Sequence, residues 1–208
     1  MDIVSGTYFK FARTKNKGLL YKGDIEITQE IKQSESSAAK LVNFDIAINN
    51  IEEIQINPNE LFSFWEIVGR PSKGNRFVES RSIVDGVITP TYDGGLCQLS
   101  GLIYHAAILA NLEVLERYNH SKDIYTDETR FTPLGSDATV VYGFKDLKIK
   151  NNLKKPIRFS FLVDKNSLTI RINSDEVLAK NTIEFSSNNK NEVTTYCNGK
   201  QLTVSHYK

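Results

Sequence analysis

The sequence predicts an α+β fold in which a central buried helix, starting at a Gly-Gly-Leu-Cys block, packs on a mainly antiparallel sheet. Three observations predict it. Between Leu96 and Leu112 apolar residues fall on two sides of a helix, with Leu99, Leu102, Ile103, Ala106 and Ala110 on one and Cys97, Gly101, Tyr104 and Ile108 on roughly the other. A helix apolar on two sides is enclosed rather than laid on a surface. From Asp137 onward the period changes to two, in Ala138–Tyr142, Leu147–Ile149, Ile157–Val163 and Leu168–Ile172, as strands require. The turn residues Asp164-Lys165-Asn166-Ser167 and Asn198-Gly199 join neighbouring strands as hairpins, which makes the sheet antiparallel.

The remaining elements follow in order. Tyr8, Phe9 and Phe11, then Leu19, Leu20 and Tyr21, alternate with charged positions, and Ile25-Glu26-Ile27-Thr28 has strand period; two short strands open the chain. Ser34-Glu35-Ser36-Ser37 offers capping oxygens to a helix whose Leu41, Phe44, Ile48 and Ile51 share one face. Asn57-Pro58-Asn59-Glu60 is turn chemistry leading into Leu61-Phe62-Ser63-Phe64-Trp65, an aromatic strand or turn that holds the single tryptophan. Pro71–Asn75 reads as a polar loop, and Ser82–Ile88 as two strands around Asp85-Gly86. After the central helix, Leu112–Tyr118 suggests a strand that delivers Asn119-His120-Ser121 to its end, and the polar stretch Lys122–Ser136 is long enough for a lid or a site wall. The organisation expected is 1–40 as N-terminal strands, 41–173 as the α+β core and 174–208 as a C-terminal β-hairpin.

Composition narrows the function classes. A chain of 208 residues buries enough surface to hold a core without disulfide or metal staples. The formal net charge of +1 removes the electrostatic drive toward nucleic acid or anionic membranes, so neither is an expected partner. No stretch reaches the roughly 18 apolar residues of a spanning helix, and the first residues lack a secretory pattern, so a soluble, cytoplasmic protein is expected. There is no Cys-x-x-Cys, no His-x-x-x-His and no phosphate-binding glycine loop. Cys97, His120 and a carboxylate are the one conceivable ligand set, and neither metal nor cofactor is expected.

The chemistry concentrates on Cys97. A cysteine in the first turn of a helix sits among unpaired N–H groups at the positive end of the helix dipole, which favours thiolate. Gly94 and Gly95 let a carbonyl approach the backbone closely, and Gln98 or local amides are placed to stabilise an oxyanion. His120, at the end of the following strand, is the candidate base, and Asp137, at the start of the next, the candidate that fixes its tautomer. That order is found in papain-like and transglutaminase-like thiol enzymes, to which the expected architecture is loosely similar. Against this stands a plainer reading in which Cys97 is inert packing, His120 a loop anchor and Asp137 a turn cap. His105, two turns beyond Cys97, is read as a half-buried tip. Phe62, Phe64 and Trp65 are read first as a core aromatic cluster and second as the floor of a ligand groove.

Phe62-Ser63-Phe64-Trp65, then Tyr92-Asp93-Gly94-Gly95-Leu96-Cys97-Gln98-Leu99-Ser100, then Glu116-Arg117-Tyr118-Asn119-His120-Ser121, and finally Asp137–Gly143 with Asp146–Asn152 together resemble the VanW family across residues 41 to 173. The resemblance implies an association with glycopeptide (vancomycin) resistance and cell-wall biology, without an established reaction. The family pattern has three glycines before its Leu/Ile-Cys-Gln, and Asp93 replaces the first of them here. A carboxylate close to the thiol would raise its pKa.

The reading these points support best is a cysteine-dependent hydrolase or acyl-transferase on peptidoglycan-type peptide or amide bonds, with Cys97 as nucleophile, His120 as base and Asp137 as orienter. The alternatives are a non-catalytic module that binds wall-precursor peptides in a groove lined by Trp65, Tyr92 and the long polar loop, and a structural accessory protein.

Overall fold

Ser37–Glu52 forms helix α1 because Phe44, Ala47, Ile48 and Ile51, three or four residues apart, bury as one stripe while Val42, Asp45 and Asn49 stay outside. The computed structural model describes residues 3–4, 7–8, 10–16, 22–33, 37–84, 87–123, 130, 132–189 and 191–208. The expected capping residues 34–36, the opening aromatics Phe9 and Leu19–Tyr21, the Asp85-Gly86 turn and residues 124–129 and 131 of the polar loop lie outside them.

The aromatic stretch after α1 divides in two. Glu60–Ser63 is a strand and Phe64–Val68 a short helix, α2. Ser63 causes the switch, because its Oγ accepts the Glu66 amide at 3.2 Å as an N-cap and donates to Asp146 Oδ2 at 2.6 Å. The same carboxylate accepts the Trp65 amide at 3.2 Å, so the helix start is satisfied from a distant segment that no local pattern announces.

Glu60–Ser63 lies inside a four-stranded sheet. It pairs antiparallel with Lys148–Lys150, which pairs antiparallel with Glu113–Glu116, and on its other side it runs parallel to Lys10–Phe11. A second sheet has the order Ile157–Val163, Ser167–Ser174, Lys22–Glu30, all antiparallel, with Ile170 facing Phe161 on one side and Ile27 on the other. The turn between its first two strands is built on Asp164, whose Oδ1 accepts the amides of Asn166 and Ser167 at 2.7 and 2.8 Å. A strand from the first forty residues therefore completes a sheet made by the core segment. Within 174–208 the hairpin around Asn198 (φ 50°) and Gly199 (φ 76°) gains a third strand, giving a meander of Ile183–Asn189, Glu192–Cys197 and Lys200–His206.

Leu96–Leu109 is helix α3, which packs against α1 and strands of both larger sheets. Leu96, Leu99, Leu102, Ile103, Ala106 and Ala107 are fully buried. Each large side chain among them contributes about 1.5–3 kcal/mol by burial, which outweighs the missing side-chain cap at Gly95. The second face is also occupied, but by backbone. Residues 137–141 do not form the strand that their alternation predicts; they run as an extended, largely unladdered segment with one bridge, Val141 to Lys145. Their polar groups are taken up elsewhere: Ser100 Oγ donates to the Ala138 carbonyl at 2.6 Å, and the Thr139 amide donates to the Tyr118 carbonyl at 2.7 Å. Gly101 makes this possible, since a Cβ there would stand 3.3 Å from the Ala138 nitrogen and 3.5 Å from Asp137 Cα.

Candidate functional site

Cys97 is the second residue of α3 and is half-buried. Gly95 adopts φ +94° to start the helix, and a side chain there would strike Lys40 Cγ at 2.5 Å and Phe44 at 3.1 Å. The carbonyl of buried Gly94 accepts Asn43 Nδ2 at 3.1 Å, which fastens the glycine turn to α1. In the first turn the Leu96 amide donates to the Asp93 carbonyl at 3.0 Å, and the Gln98 and Leu99 amides share the Gly95 carbonyl. Among the described residues the Cys97 amide has no backbone acceptor, so one N–H of the helix start is left beside the sulfur.

The sulfur faces the 139–140 segment, 3.6 Å from Thr139 Oγ1, and its S–H donates to the Val140 carbonyl at 3.7 Å. His120, just beyond the Glu113–Glu116 strand, reaches the same place. Its Nδ1 lies 2.7 Å from Asp137 Oδ2, and that oxygen also accepts the His120 backbone amide at 2.7 Å. Two bonds from one residue to one carboxylate oxygen hold the ring and leave Nε2 as the nitrogen available to Cys97. The other oxygen, Oδ1, accepts Arg117 Nη2 at 3.0 Å and the Tyr207 hydroxyl at 2.6 Å. Asp137 thus receives four hydrogen bonds, and its charge is matched by a guanidinium that is only 7% exposed. Arg117 is held in turn by the carbonyls of Asp137 and Gly135, by Ser205 Oγ at 2.7 Å, and by the Tyr104 ring, whose centroid lies 4.8 Å from Cζ.

The titrations follow from this packing. Burial by itself would raise the Asp137 pKa, but the His120 hydrogen bond, the Arg117 charge and the His120 charge and amide hold it down at about 2. For His120 burial works downward, and hydrogen bonds to Asp137 and Cys97, with their negative charges, raise it to about 10. Burial likewise pushes the Cys97 thiol up, yet its hydrogen bond to His120 and the imidazolium charge bring it below the ordinary value. These last two shifts are one interaction seen from both ends, because each charged form stabilises the other. The His120 side chain is 42% exposed, so the pair meets solvent on the imidazole side.

The structure brings Cys97, His120 and Asp137 together. Asp93 accepts the Thr91 hydroxyl, and the charge that lowers the Cys97 pKa is that of His120. Gln98 Nε2 is bonded to the Glu30 carbonyl at 2.9 Å, which joins α3 to the end of the Lys22–Glu30 strand. Trp65 is buried, donates Nε1 to the Lys145 carbonyl at 2.8 Å and supports the Tyr142 ring edge-on at 5.5 Å. Tyr92 is partly buried against the core, where burial and the Glu79 charge raise its pKa. Arg117, Thr139 and Tyr207 are site residues that sequence reasoning missed. Arg117 stands three residues before His120 and invites attention on that ground; Tyr207, seventy positions from Asp137, carries no local signal at all. Among the described residues no cluster of three or more His, Cys, Asp or Glu is placed to hold a metal ion, and no helix is long and apolar enough to cross a membrane.

Comparison with known proteins places Cys97, His120 and Asp137 inside a family segment. Residues 39–173 match the family described as VanW like protein. The chain is 28% identical over 156 residues to the uncharacterized protein YoaR of Bacillus subtilis (strain 168), covering 73% of this chain and 50% of that protein. It is also 28% identical over 113 residues to the vancomycin B-type resistance protein VanW of Enterococcus faecalis (strain ATCC 700802 / V583), covering 54% of this chain and 41% of that one. The chain thus spans half or less of the length of these relatives. No solved structure matches it.

Proposed function

Since the chain belongs to the VanW-like family, one of whose relatives is named for vancomycin resistance, we propose that it is a cysteine-dependent hydrolase or acyl-transferase acting on peptide or amide bonds of peptidoglycan type. The observation that carries this reading is the single chain of contacts from Cys97 through the His120 imidazole to an Asp137 carboxylate that is itself fully hydrogen-bonded. The order along the chain is that of papain-like and transglutaminase-like thiol enzymes, a likeness of site chemistry.

His120 takes the thiol proton through Nε2, and the Cys97 thiolate attacks the scissile carbonyl carbon to form a C–S bond. The carbonyl oxygen becomes an oxyanion, for which the free Cys97 amide is the donor at hand. Collapse breaks the C–N bond, and the departing amine leaves with the proton held on His120. Water, or a second amine in the transferase case, then gives a proton to His120 and attacks the thioester, and the thiolate is released. Asp137 keeps Nδ1 protonated throughout and balances the imidazolium. Val141, Tyr142 and Phe144, which follow Val140 in the chain, are exposed, Phe144 to 84%, as is Tyr118 under Lys145, and they are the apolar surface this reading assigns to the substrate.

Intact-mass spectrometry of the protein incubated with a synthetic stem-type pentapeptide tests the reading. The expected result is an acyl adduct on Cys97 that is absent in Cys97→Ala and accumulates at least tenfold more slowly in His120→Ala. A thiol that neither acylates nor alkylates faster than a free cysteine at neutral pH would overturn it.

A further inference from the structure

Part of what holds the His120 segment comes from outside the family segment. After the Glu113–Glu116 strand ends, residues 117–121 have no ladder partner among the described residues and run beside residues 205–208 of the last strand and its extension. Each of those four residues holds something. Ser205 Oγ accepts Arg117 Nη1 at 2.7 Å, the His206 carbonyl accepts Asn119 Nδ2 at 2.6 Å, the Tyr207 hydroxyl donates to Asp137 Oδ1 at 2.6 Å, and the Lys208 amide donates to the Ser121 carbonyl at 2.7 Å. Tyr207 is buried, and its hydroxyl also accepts the Gly135 amide at 3.0 Å, which fixes where the O–H points. Gly135 itself stands at φ +97°, against Phe185, Val193 and Thr195 of the same meander, so the turn into Asp137 is moulded on that sheet. The matched family segment closes at residue 173, before any of these contributors.

We infer that Tyr207 and Arg117 are positioning residues of the Cys97 site, and that the 183–208 meander completes it by locking the Asp137 carboxylate and the His120 backbone in place. This inference rests on the reading of Cys97 as a nucleophile assisted by His120. The physical basis is the division of labour at Asp137. Each carboxylate oxygen has two lone-pair directions, and Oδ1 is filled by Arg117 and Tyr207 while Oδ2 is filled by the two N–H groups of His120. With Oδ1 freed, the carboxylate is able to rotate about its Cβ–Cγ bond and the His120 ring loses its fixed partner. A ring without its fixed partner holds its charge less well beside the sulfur, and that disfavours thiolate.

The test is the pH dependence of Cys97 alkylation by iodoacetamide, measured in the full chain for wild type, Tyr207→Phe, Ser205→Ala and His120→Ala, in a Cys197→Ser background so that one thiol is read. In Tyr207→Phe the rise of the rate with pH is expected to move upward by roughly half to one unit, which is about threefold to tenfold slower reaction on the acid side. Ser205→Ala, which removes one of the bonds that hold Arg117 without touching the buried ring, should move it the same way by less. His120→Ala should move it furthest. If His120→Ala shifts the profile and both other variants overlay on wild type, the positioning role is wrong and the nucleophile reading stands. If His120→Ala itself overlays on wild type, the nucleophile reading falls and takes the inference with it. A tyrosine that merely stabilises the fold would lower the melting temperature and leave the profile where it was. Should Tyr207→Phe fail to fold, Ser205→Ala alone decides, since overlay with wild type in that variant is the overturning result.

Discussion

The Asp137 carboxylate receives four hydrogen bonds, and its environment sets the behaviour of Cys97 and His120. A carboxylate pairing with both a buried guanidinium and an imidazole must stay ionised, which is why its pKa is held at about 2 despite burial. Asp137→Asn keeps the shape but leaves Arg117 with a buried charge and no counter-ion. Breaking a largely buried pair in this way costs about 2–4 kcal/mol, expected as a lowered urea midpoint at unchanged m-value. The same variant should slow Cys97 alkylation near neutral pH, because the amide neither balances the imidazolium nor guarantees the tautomer. An unchanged midpoint would mean that Arg117 draws its support from the Gly135 and Asp137 carbonyls and Ser205 alone.

At the scale of elements, the interface between α3 and the 135–140 segment is a backbone-to-helix contact that depends on Gly101. Two effects compete in Gly101→Ala. Alanine improves helix propensity by about 1 kcal/mol, whereas a Cβ within 3.3 Å of a backbone nitrogen forces a displacement of overpacking type, worth about 1–3 kcal/mol. The expected net change in stability is small, within about 1–2 kcal/mol, and the larger effect falls on the site, because the displaced atoms belong to Asp137 and Ala138. Alkylation of Cys97 near pH 6.5 should slow several-fold in a protein that melts almost normally. A normal alkylation rate would show that the segment accommodates the methyl without moving Asp137. The element patterns also explain what was legible. The two apolar faces of α3 were readable from Leu99, Leu102 and Ile103 against Cys97, Gly101 and Tyr104, since helical spacing is local. That the second face receives an irregular segment and not a strand was not readable: Ala138–Val141 has strand alternation, and distant Cys97, Ser100 and Tyr118 divert its backbone groups over Gly101.

For the whole molecule, stability against pH separates the site from the rest of the core. His105, on α3 two turns from Cys97, has a buried Nδ1 without a partner among the described residues and an edge-on contact to Phe185 of the meander at 5.6 Å. Burial lowers its pKa from 6.5 to about 4. Below pH 6.5 the unfolded chain takes up a proton that the folded chain refuses until about pH 4, so stability falls as pH drops through that window. Asp137 acts lower: its stabilisation is fully present above the ordinary carboxylate value of about 3.9 and is lost as pH falls through about 2. Urea melts of His105→Phe and wild type at pH 8, 6.5, 5 and 4 are expected to diverge, with the wild type losing more stability between pH 6.5 and 4. Parallel decline in the two proteins would place the acid sensitivity elsewhere.

By itself the sequence determined what depends on near neighbours: the α+β class, the helix entered through Gly94-Gly95 with Cys97 in its first turn, the Asp164 and Asn198-Gly199 hairpins, and membership of the VanW-like family through residues 39–173. It also pointed to Cys97, His120 and Asp137, because helix start, strand end and the segment beyond are ordered positions along one chain. Tertiary structure alone decided that these three meet, that Asp93 turns to Thr91, that Gln98 binds Glu30, and that Arg117 and Tyr207 complete the carboxylate's shell. Those contacts join residues far apart in sequence through hydrogen bonds with strict geometry. A residue's type and spacing carry no record of such a partner until the chain has folded around it.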